Sequence, residues 1–415
     1  MSALKSVKGT YDLLPKDKAV HRHVSETARS VAERFGFNEA VTPIFELSEV
    51  FSRTLGETSD VVTKEMFSFE TKGGDKITLR PEGTAGICRS FISNGLQQEV
   101  PVKHFYYGPM FRYERPQKGR QRQFHQVGIE LIGVETPQAD VEVIAAGYQF
   151  LKELGFADDV TLELNSLGDK ESRAAYREKL VAYFSQFEDQ LSEDSKNRLK
   201  TNPLRILDSK DEGDKVLVKD APVLGECLNE ASQAFYTAVK EGLDLLGVPY
   251  VENPRLVRGL DYYCHTAFEF TTTTLGAQGT VLAGGRYDDL IKMMGGPQMP
   301  GVGWASGVER LALMMGEGSV DLPRPIVVIP VSGDQQVEAM KLAHQLRCEG
   351  YIIDQGYSGN MKKRLNRANK ANACAAILMG EDELARGCVT VRDLESGEQS
   401  EVSLDDLVTS LAKFK

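Results

Sequence analysis

No stretch of the chain carries enough uninterrupted apolar residues to cross a bilayer, which excludes a helical membrane-spanning protein. Cysteine is sparse: Cys88, Cys227, Cys264, Cys348, Cys374 and Cys388 are scattered, with neither a C-x-x-C pair nor a histidine partner at zinc-ligand spacing. Neither a disulfide framework nor structural zinc is expected from that pattern. Internal repeats and low-complexity segments are lacking as well. Positive charge falls short of negative, 49 Lys and Arg against 60 Asp and Glu for a formal net charge of −11. Bulk attraction to a polyanion is thereby excluded, and any RNA contact has to be a local basic patch. Met1 to Thr10 has cations without an apolar core behind them, and Asp12 and Asp17 follow early. Neither a secretory signal nor a transit peptide is expected, and the expected compartment is the cytoplasm.

What is present is ample for folding. A chain of 415 residues with 41% hydrophobic and 26% charged residues has an ordinary globular composition and room for two or three domains. Val20, Val24, Ala28, Val31, Ala32 and Phe35 recur on one helical stripe, and Gly36 is placed to end it. Phe37 to Glu46 reads as extended, with Pro43 favouring an edge or a bulge. Met66 to Leu79 reads as a hairpin turning on Gly73 and Gly74, and Thr84 to Asn94 as a helix. Two apolar-aromatic runs, Val102 to Glu114 and Gln123 to Gly133, flank a basic loop and predict long antiparallel strands. A helix over Gln138 to Leu154 and a strand over Val160 to Asn165 follow.

Asp169 to Leu246 is helical in pattern and polar, which predicts an inserted helical domain. Strand signals return at Phe268 to Thr273 and Val281 to Ala283, and Val302 to Met315 runs from a glycine-rich strand into a helix. After a break at Leu322 to Pro325, strands and helices alternate, which predicts a small α/β domain with parallel pairing. The expected organisation is therefore an α+β domain on an antiparallel sheet (1–168 and 247–321), a helical insertion (169–246) and a C-terminal α/β domain (322–415).

Several segments concentrate chemistry. TLRPEGTAG, Thr78 to Gly86, is a turn expected to expose Arg80, Glu82 and Thr84 at the end of a strand; its bland alternative is an ordinary β-to-α turn with Thr84 as N-cap. In FRYERPQKGRQRQFHQVGIELIG, Phe111 to Gly133, Arg112 offers a planar donor fork suited to a phosphate oxygen. Alternation on the return strand puts Gln126, Gly128 and Glu130 on one face, and Gly128 predicts a close approach to the backbone, by a ligand on this reading. LVRGLDYYCHTAFEF, Leu256 to Phe270, brings Arg258, Asp261, Tyr262 and Tyr263 together. AGGRYDDL, Ala283 to Leu290, supplies a glycine pair and Arg286, its bland alternative being a sharp turn capped by a surface arginine; in GVGWASGVERL, Gly301 to Leu311, glycines precede a helix bearing Arg310, its bland alternative a helix packed tightly on a sheet. Two basic patches stand out: Arg112, Arg115, Lys118, Arg120 and Arg122, and Lys362, Lys363, Arg364, Arg367 and Lys370. Taken alone, each reads as a solvated charged face.

Together these segments resemble the class II aminoacyl-tRNA synthetases, and among them the histidyl-tRNA synthetase family, over nearly the whole chain. The helix through Pro43, Phe111 to Gly133 and Gly301 to Leu311 match the three class motifs, while LVRGLDYYCHTAFEF and AGGRYDDL resemble the histidine-specific signatures. Tyr113 stands where relatives often carry histidine. The resemblance implies L-histidine and ATP as substrates, with Mg2+, and transfer of histidine to the terminal adenosine of tRNA(His). It implies catalytic roles for Arg112 and Arg258, and ATP binding by Arg112, Glu114, Arg120 and Arg310. Histidine would be held by Glu82, Gly83, Thr84, Gln126, Glu130, Tyr262 and Tyr263, with Glu130 and Tyr263 at the imidazole. Arg115, Gln117, Lys362, Lys363 and Arg367 would meet tRNA, the C-terminal domain would read the anticodon, and Pro43 would lie at a homodimer interface. A noncatalytic regulatory paralogue of this fold is expected to lack the Arg258 segment and the C-terminal domain, both of which are present.

Overall fold

The apolar stripe at the start of the chain behaves as its periodicity predicts. In the computed structural model, which describes residues 4–54, 61–207, 209–257, 262–276 and 279–415, α1 (Pro15–Arg34) buries Val20, Val24, Ala28, Val31 and Ala32, and Gly36 follows with φ of +79°. The next segment is less continuous than expected. It forms β1 (Asn38–Glu39) and β2 (Phe45–Leu47), with Pro43 between them. After α2 (Ser48–Ser52) come the hairpin strands β3 (Phe67–Glu70) and β4 (Lys76–Leu79), which complete a small sheet in the order β2-β4-β3.

Then follow α3 (Thr84–Ser93), the long strands β5 (Val102–Phe111) and β6 (Gln123–Ile132), α4 (Pro137–Glu153) and β7 (Thr161–Ser166). Helices α5 (Lys170–Phe184), α6 (Glu193–Thr201), α7 (Glu212–Lys219) and α8 (Glu230–Leu246) lead to β8 (Val251–Glu252), β9 (Cys264–Thr271) and β10 (Thr280–Arg286). Finally come α9 (Leu290–Met293), β11 (Gly301–Gly307) and α10 (Val308–Met315).

One eight-stranded sheet organises this first unit, in the order β1-β5-β6-β11-β10-β9-β7-β8, antiparallel except at its two edge pairs, β1–β5 and β7–β8. Period-two alternation sorts β6: Val127, Ile129 and Leu131 join one core, shared with α1, α4, α8 and α10. The lone tryptophan, Trp304, stacks there on Phe150 with ring centroids 5.8 Å apart and donates Nε1–H to the carbonyl of Val143 at 3.0 Å. The opposite face packs Ile87, Phe91, Tyr106, Tyr262, Tyr263 and Tyr287, and the chemistry lies on this side.

Helix α8, expected within the insertion, instead buries Val239 and Leu243 in the core of the large sheet. The preceding helices pack about a separate cluster containing Tyr176, Leu180, Phe184 and Ile206. One buried carboxylate ties them: Asp214 on α7 accepts from the backbone and hydroxyl of Ser192 and from the hydroxyls of Ser195 and Ser209, at 2.6–2.9 Å.

The second unit, Asp321–Lys415, contains β12 (Ile326–Pro330), α11 (Gln336–Cys348), β13 (Ile353–Gln355), α12 (Met361–Lys370) and β14 (Ala375–Met379). It continues with α13 (Glu381–Ala385), β15 (Cys388–Asp393), β16 (Gln399–Ser403) and α14 (Leu407–Ser410). The predicted parallel pairing holds for β13-β12-β14, and antiparallel β15 and β16 extend that sheet beyond what the alternation suggested. Arg364 drops out of the second basic patch: it is buried, with Nη1 on the carbonyl of Pro330. Lys362, Lys363 and Arg367 remain exposed on α12.

Candidate active site

The turn between β4 and α3 does not expose its polar residues; it buries them. Arg80 donates to the carbonyls of Pro109 (2.9 Å) and Thr42 (3.0 Å), bracing the end of β4 against β5. Gly83 is the N-cap residue of α3, and the side chain that meets the first backbone donors is that of Glu82, not Thr84. Its carboxylate accepts the backbone N–H groups of Thr84 (2.6 Å) and Ala85 (2.9 Å), two of the donors that a helix start leaves unpaired. Burial raises the Glu82 pKa against the pull of those donors.

Thr84 is thereby freed to donate its hydroxyl to Glu130 at 2.6 Å. Glu130 is fully buried on β6, and its other oxygen accepts from the Tyr287 phenol at 2.5 Å. Burial pushes this carboxyl up to about 8, with Glu82 adding to the rise and the Thr84 and Tyr287 hydrogen bonds opposing it. The carboxylate lies over Gly303 on the neighbouring strand, where a β-carbon would overlap it.

The glycine signal on β6 proves to have a different occupant. The ring of Tyr106, from β5, fills the space that a side chain at Gly128 or Gly83 would need, and its hydroxyl is 3.5 Å from Glu130. Gly83 is thus a seat for Tyr106. Gln126, one pleat away, has a buried Oε1 with no hydrogen-bond partner among the described residues. Such an atom costs about 1–3 kcal/mol unless something supplies a donor.

Beside these groups is a cavity of about 300 Å3, lined by Glu82, Thr84, Arg112, Glu114, Arg120, Gln126, Tyr262, Tyr263 and Arg310 among others. Glu130 is behind this lining, reached through Thr84. Arg112 donates Nε–H to the carbonyl of Pro81 at 2.9 Å and lays its guanidinium over Phe124. Arg310 donates to the carbonyl of Thr280 at 2.5 Å. Its pKa is lowered by burial and by the nearby Arg120 and Arg112 cations, so three positive groups repel one another across one cavity. Arg120 forms an ion pair with Glu114. Burial pushes Glu114 up, but Arg120 and Arg112 outweigh it and hold its pKa low; burial and Glu114 raise that of the adjacent Glu65.

A cleft of about 1000 Å3 shares Arg112, Glu114, Arg120 and Tyr263 with this cavity and adds Lys170, Arg173, Arg177 and Arg198 from the helical segment. Arg173 reaches from α5 to the carbonyl of Tyr263 at 2.7 Å. Arg115 and Gln117 are exposed in the loop between β5 and β6. Arg258 and Asp261 fall outside the described residues. Arg286 is not the surface cap of a turn: fully buried, it pairs with Asp140 on α4 and donates to the carbonyl of Val134 at 3.0 Å.

Sequence reasoning missed Tyr106, Tyr287 and Glu65, which only the sheet order and a distant loop bring to the site. It also missed His21, His125 and Glu309, whose ligating atoms lie within 4.8 Å of one another. Both Glu309 oxygens accept the backbone N–H of His125, and the His125 ring nitrogen Nδ1 is 2.9 Å away, so the group braces β6 against α10.

An eight-stranded, largely antiparallel sheet, with three arginines lining one cavity near a buried carboxyl group, fits the class II aminoacyl-tRNA synthetases. A family model for histidyl-tRNA synthetase matches residues 9–311, and one for an anticodon binding domain matches residues 325–414. The histidine–tRNA ligase of Rhodospirillum rubrum is 62% identical over 414 residues, covering 100% of each chain, and that of Gluconacetobacter diazotrophicus is 55% identical over 412 residues, covering 99% of each. The crystal structure of apo S. aureus histidyl-tRNA synthetase superposes with a TM-score of 0.83 at 35% identity, covering 98% of this chain and 99% of that one. The chain belongs to the histidyl-tRNA synthetase family.

Proposed function

We propose that this chain activates L-histidine with ATP, releasing pyrophosphate, and then transfers the histidyl group to the 3′-terminal adenosine of tRNA(His). The observation that carries this reading is the convergence of Arg112, Arg120 and Arg310 on one cavity whose far wall leads through Thr84 to a fully buried carboxylate. Guanidinium groups gathered on one cavity suit phosphate, whose oxygens each planar fork can hold in a bidentate way.

On this reading the histidine carboxylate attacks the α-phosphate in line, and Arg112 with Arg258 stabilises the charge that builds in the transition state. Arg120, on release from Glu114, and Arg310 hold the departing phosphates. Gln126 gives its unpartnered oxygen to the substrate ammonium, alongside Glu82, with Thr84 nearby. Tyr262 and Tyr263 wall the cavity, while Glu130 and Tyr263 read the imidazole, whose one donor and one acceptor they complement. The Glu65–Glu114 carboxyl pair has the hard oxygen donors that magnesium prefers and is its candidate holder; the ion would neutralise phosphate charge when bound.

Arg115 and Gln117 would meet the acceptor end of tRNA, and Lys362, Lys363 and Arg367 its anticodon region. The proposed domains are the catalytic one, the helical insertion and the anticodon-binding one, within a cytoplasmic homodimer. Support for the dimer comes from Val41, Ile44, Phe45, Leu47 and Phe69, large apolar side chains exposed on and beside the small sheet. No helix among the described residues is long and apolar enough to cross a membrane. ATP–pyrophosphate exchange that requires histidine, and that no other amino acid supports, is the expected result. Exchange driven by threonine or proline, or none at all, would overturn the assignment.

A further inference from the structure

The segment before α1 is fastened to the loop between β5 and β6. Val7 to Thr10 form a tight turn, with the Thr10 backbone N–H donating to the Val7 carbonyl at 2.9 Å and Gly9 at φ of +86° in the third position. The Gly9 carbonyl accepts the backbone N–H of Arg122 at 2.8 Å. The Arg122 side chain runs across the loop, donating Nε–H to the carbonyl of Glu114 at 3.2 Å, with its guanidinium carbon 3.8 Å from the Tyr113 ring centroid. Its own carbonyl accepts the backbone N–H of Arg112 at 2.9 Å. A β-carbon at Gly9 would lie 2.7 Å from Arg122 Cγ and 3.0 Å from Pro116 Cγ. Pro116 separates Arg115 from Gln117.

We propose that Gly9 and Arg122 form a clasp that positions the exposed loop for the acceptor end of tRNA, Gly9 being the residue small enough to let Arg122 lie across it. The proposal rests on the functional reading above. The clasp touches the Tyr113 and Pro116 flank of the loop and only the backbone of Glu114 and Arg112, whereas the Arg112 side chain is held by Pro81 and the Arg120 side chain by the Glu114 carboxylate. Its effect therefore falls on the tRNA step more than on adenylate formation.

The test uses the full-length chain and four proteins: wild type, Gly9→Ala, Arg122→Ala and the double variant. Each is measured in histidine-dependent pyrophosphate exchange, which needs no tRNA, and in charging as a function of tRNA concentration. Each single variant should raise the tRNA KM about tenfold while exchange stays within about twofold, as for the loss of one or two modest interactions. Gly9→Ala should add less to Arg122→Ala than it costs in wild type, because the added methyl group then meets only Pro116 and the positive-φ strain that remains in both backgrounds.

Exchange falling in parallel with charging, or Gly9→Ala adding its whole penalty to Arg122→Ala, would overturn the clasp and leave backbone strain in its place. Should Gly9→Ala not fold, Arg122→Lys carries the test: it keeps the aliphatic stem but loses the Nε donor, and a normal tRNA KM in that variant refutes the proposal. A wild type without histidine-dependent exchange would sink the functional reading itself; an active wild type with normal tRNA KM in every variant would sink the clasp alone.

Discussion

Glu130→Gln should make the substrate-free protein more stable and the enzyme worse. The carboxyl is buried with its pKa pushed up to about 8 from an ordinary 4.5, so at neutral pH it keeps its proton in the folded state and loses it on unfolding. Its folded value is the higher one. The stability it contributes is therefore complete below about pH 4.5, falls as pH rises toward 8 and is level beyond that. By pH 7 the loss amounts to about 3 kcal/mol. Glutamine does not titrate, and its amide keeps one acceptor for Thr84 or Tyr287 while presenting a donor that either hydroxyl can accept.

Thermal unfolding without substrate should then show the variant's advantage over wild type growing from pH 5 to pH 8, by several degrees in Tm, and levelling off above. On the proposed function the same group reads the imidazole N–H as a carboxylate, an acceptor on both oxygens that the amide cannot copy, and a mismatched buried partner costs discrimination sharply. In pyrophosphate exchange, kcat/KM for histidine should fall at least about a hundredfold with the ATP KM little changed. A stability difference that does not vary with pH would refute the buried, protonated carboxyl. An unchanged kcat/KM for histidine would remove Glu130 from recognition.

Replacing Phe45 and Leu47 by aspartate should convert the proposed dimer to monomer in sedimentation at micromolar concentration; if the wild type already sediments as a fully active monomer, the exposed apolar face has another purpose. Alanine at Lys362, Lys363 and Arg367 should weaken tRNA binding and flatten its salt dependence while exchange survives, since fewer counterions are released. Asp140→Ala removes the buried one of the two carboxylates paired with Arg286 and leaves Asp288 at 3.2 Å; it should cost about 3 kcal/mol in denaturant titrations, against near neutrality if the pair were exposed. Arg258→Lys should slow activation by about two to three orders of magnitude with tRNA affinity retained, because a lysine cannot reproduce the planar fork; near-normal exchange would remove Arg258 from catalysis.

The long elements were legible because their patterns are local. The stripe of α1, the paired runs of β5 and β6 and the glycine turn of the β3–β4 hairpin each need only their own residues to be read. What was not legible depends on the sheet order. Gly128 correctly announced a close approach, but that Tyr106 makes it follows from the pairing of β5 with β6, in which the two residues face each other. Arg286 looked like the cap of a turn because its partner, Asp140, is 146 residues away. Helix α8 reads like its polar neighbours, and its burial against the large sheet is a tertiary fact. In the second unit, β15 and β16 are short and polar on one side, so the strand–helix alternation that predicted parallel pairing gave no hint of an antiparallel extension.

The position of Trp304 determines how the two units can be told apart in solution. It is the one tryptophan in the chain, stacked on Phe150 inside the first unit, and the second unit, Asp321–Lys415, has none. Intrinsic fluorescence excited at the red edge of protein absorption therefore follows the melting of the catalytic sheet and is blind to the other unit, whereas far-ultraviolet circular dichroism records both. A denaturant titration followed by both signals should coincide only if the units unfold together, and any separation gives the stability of the second unit by difference.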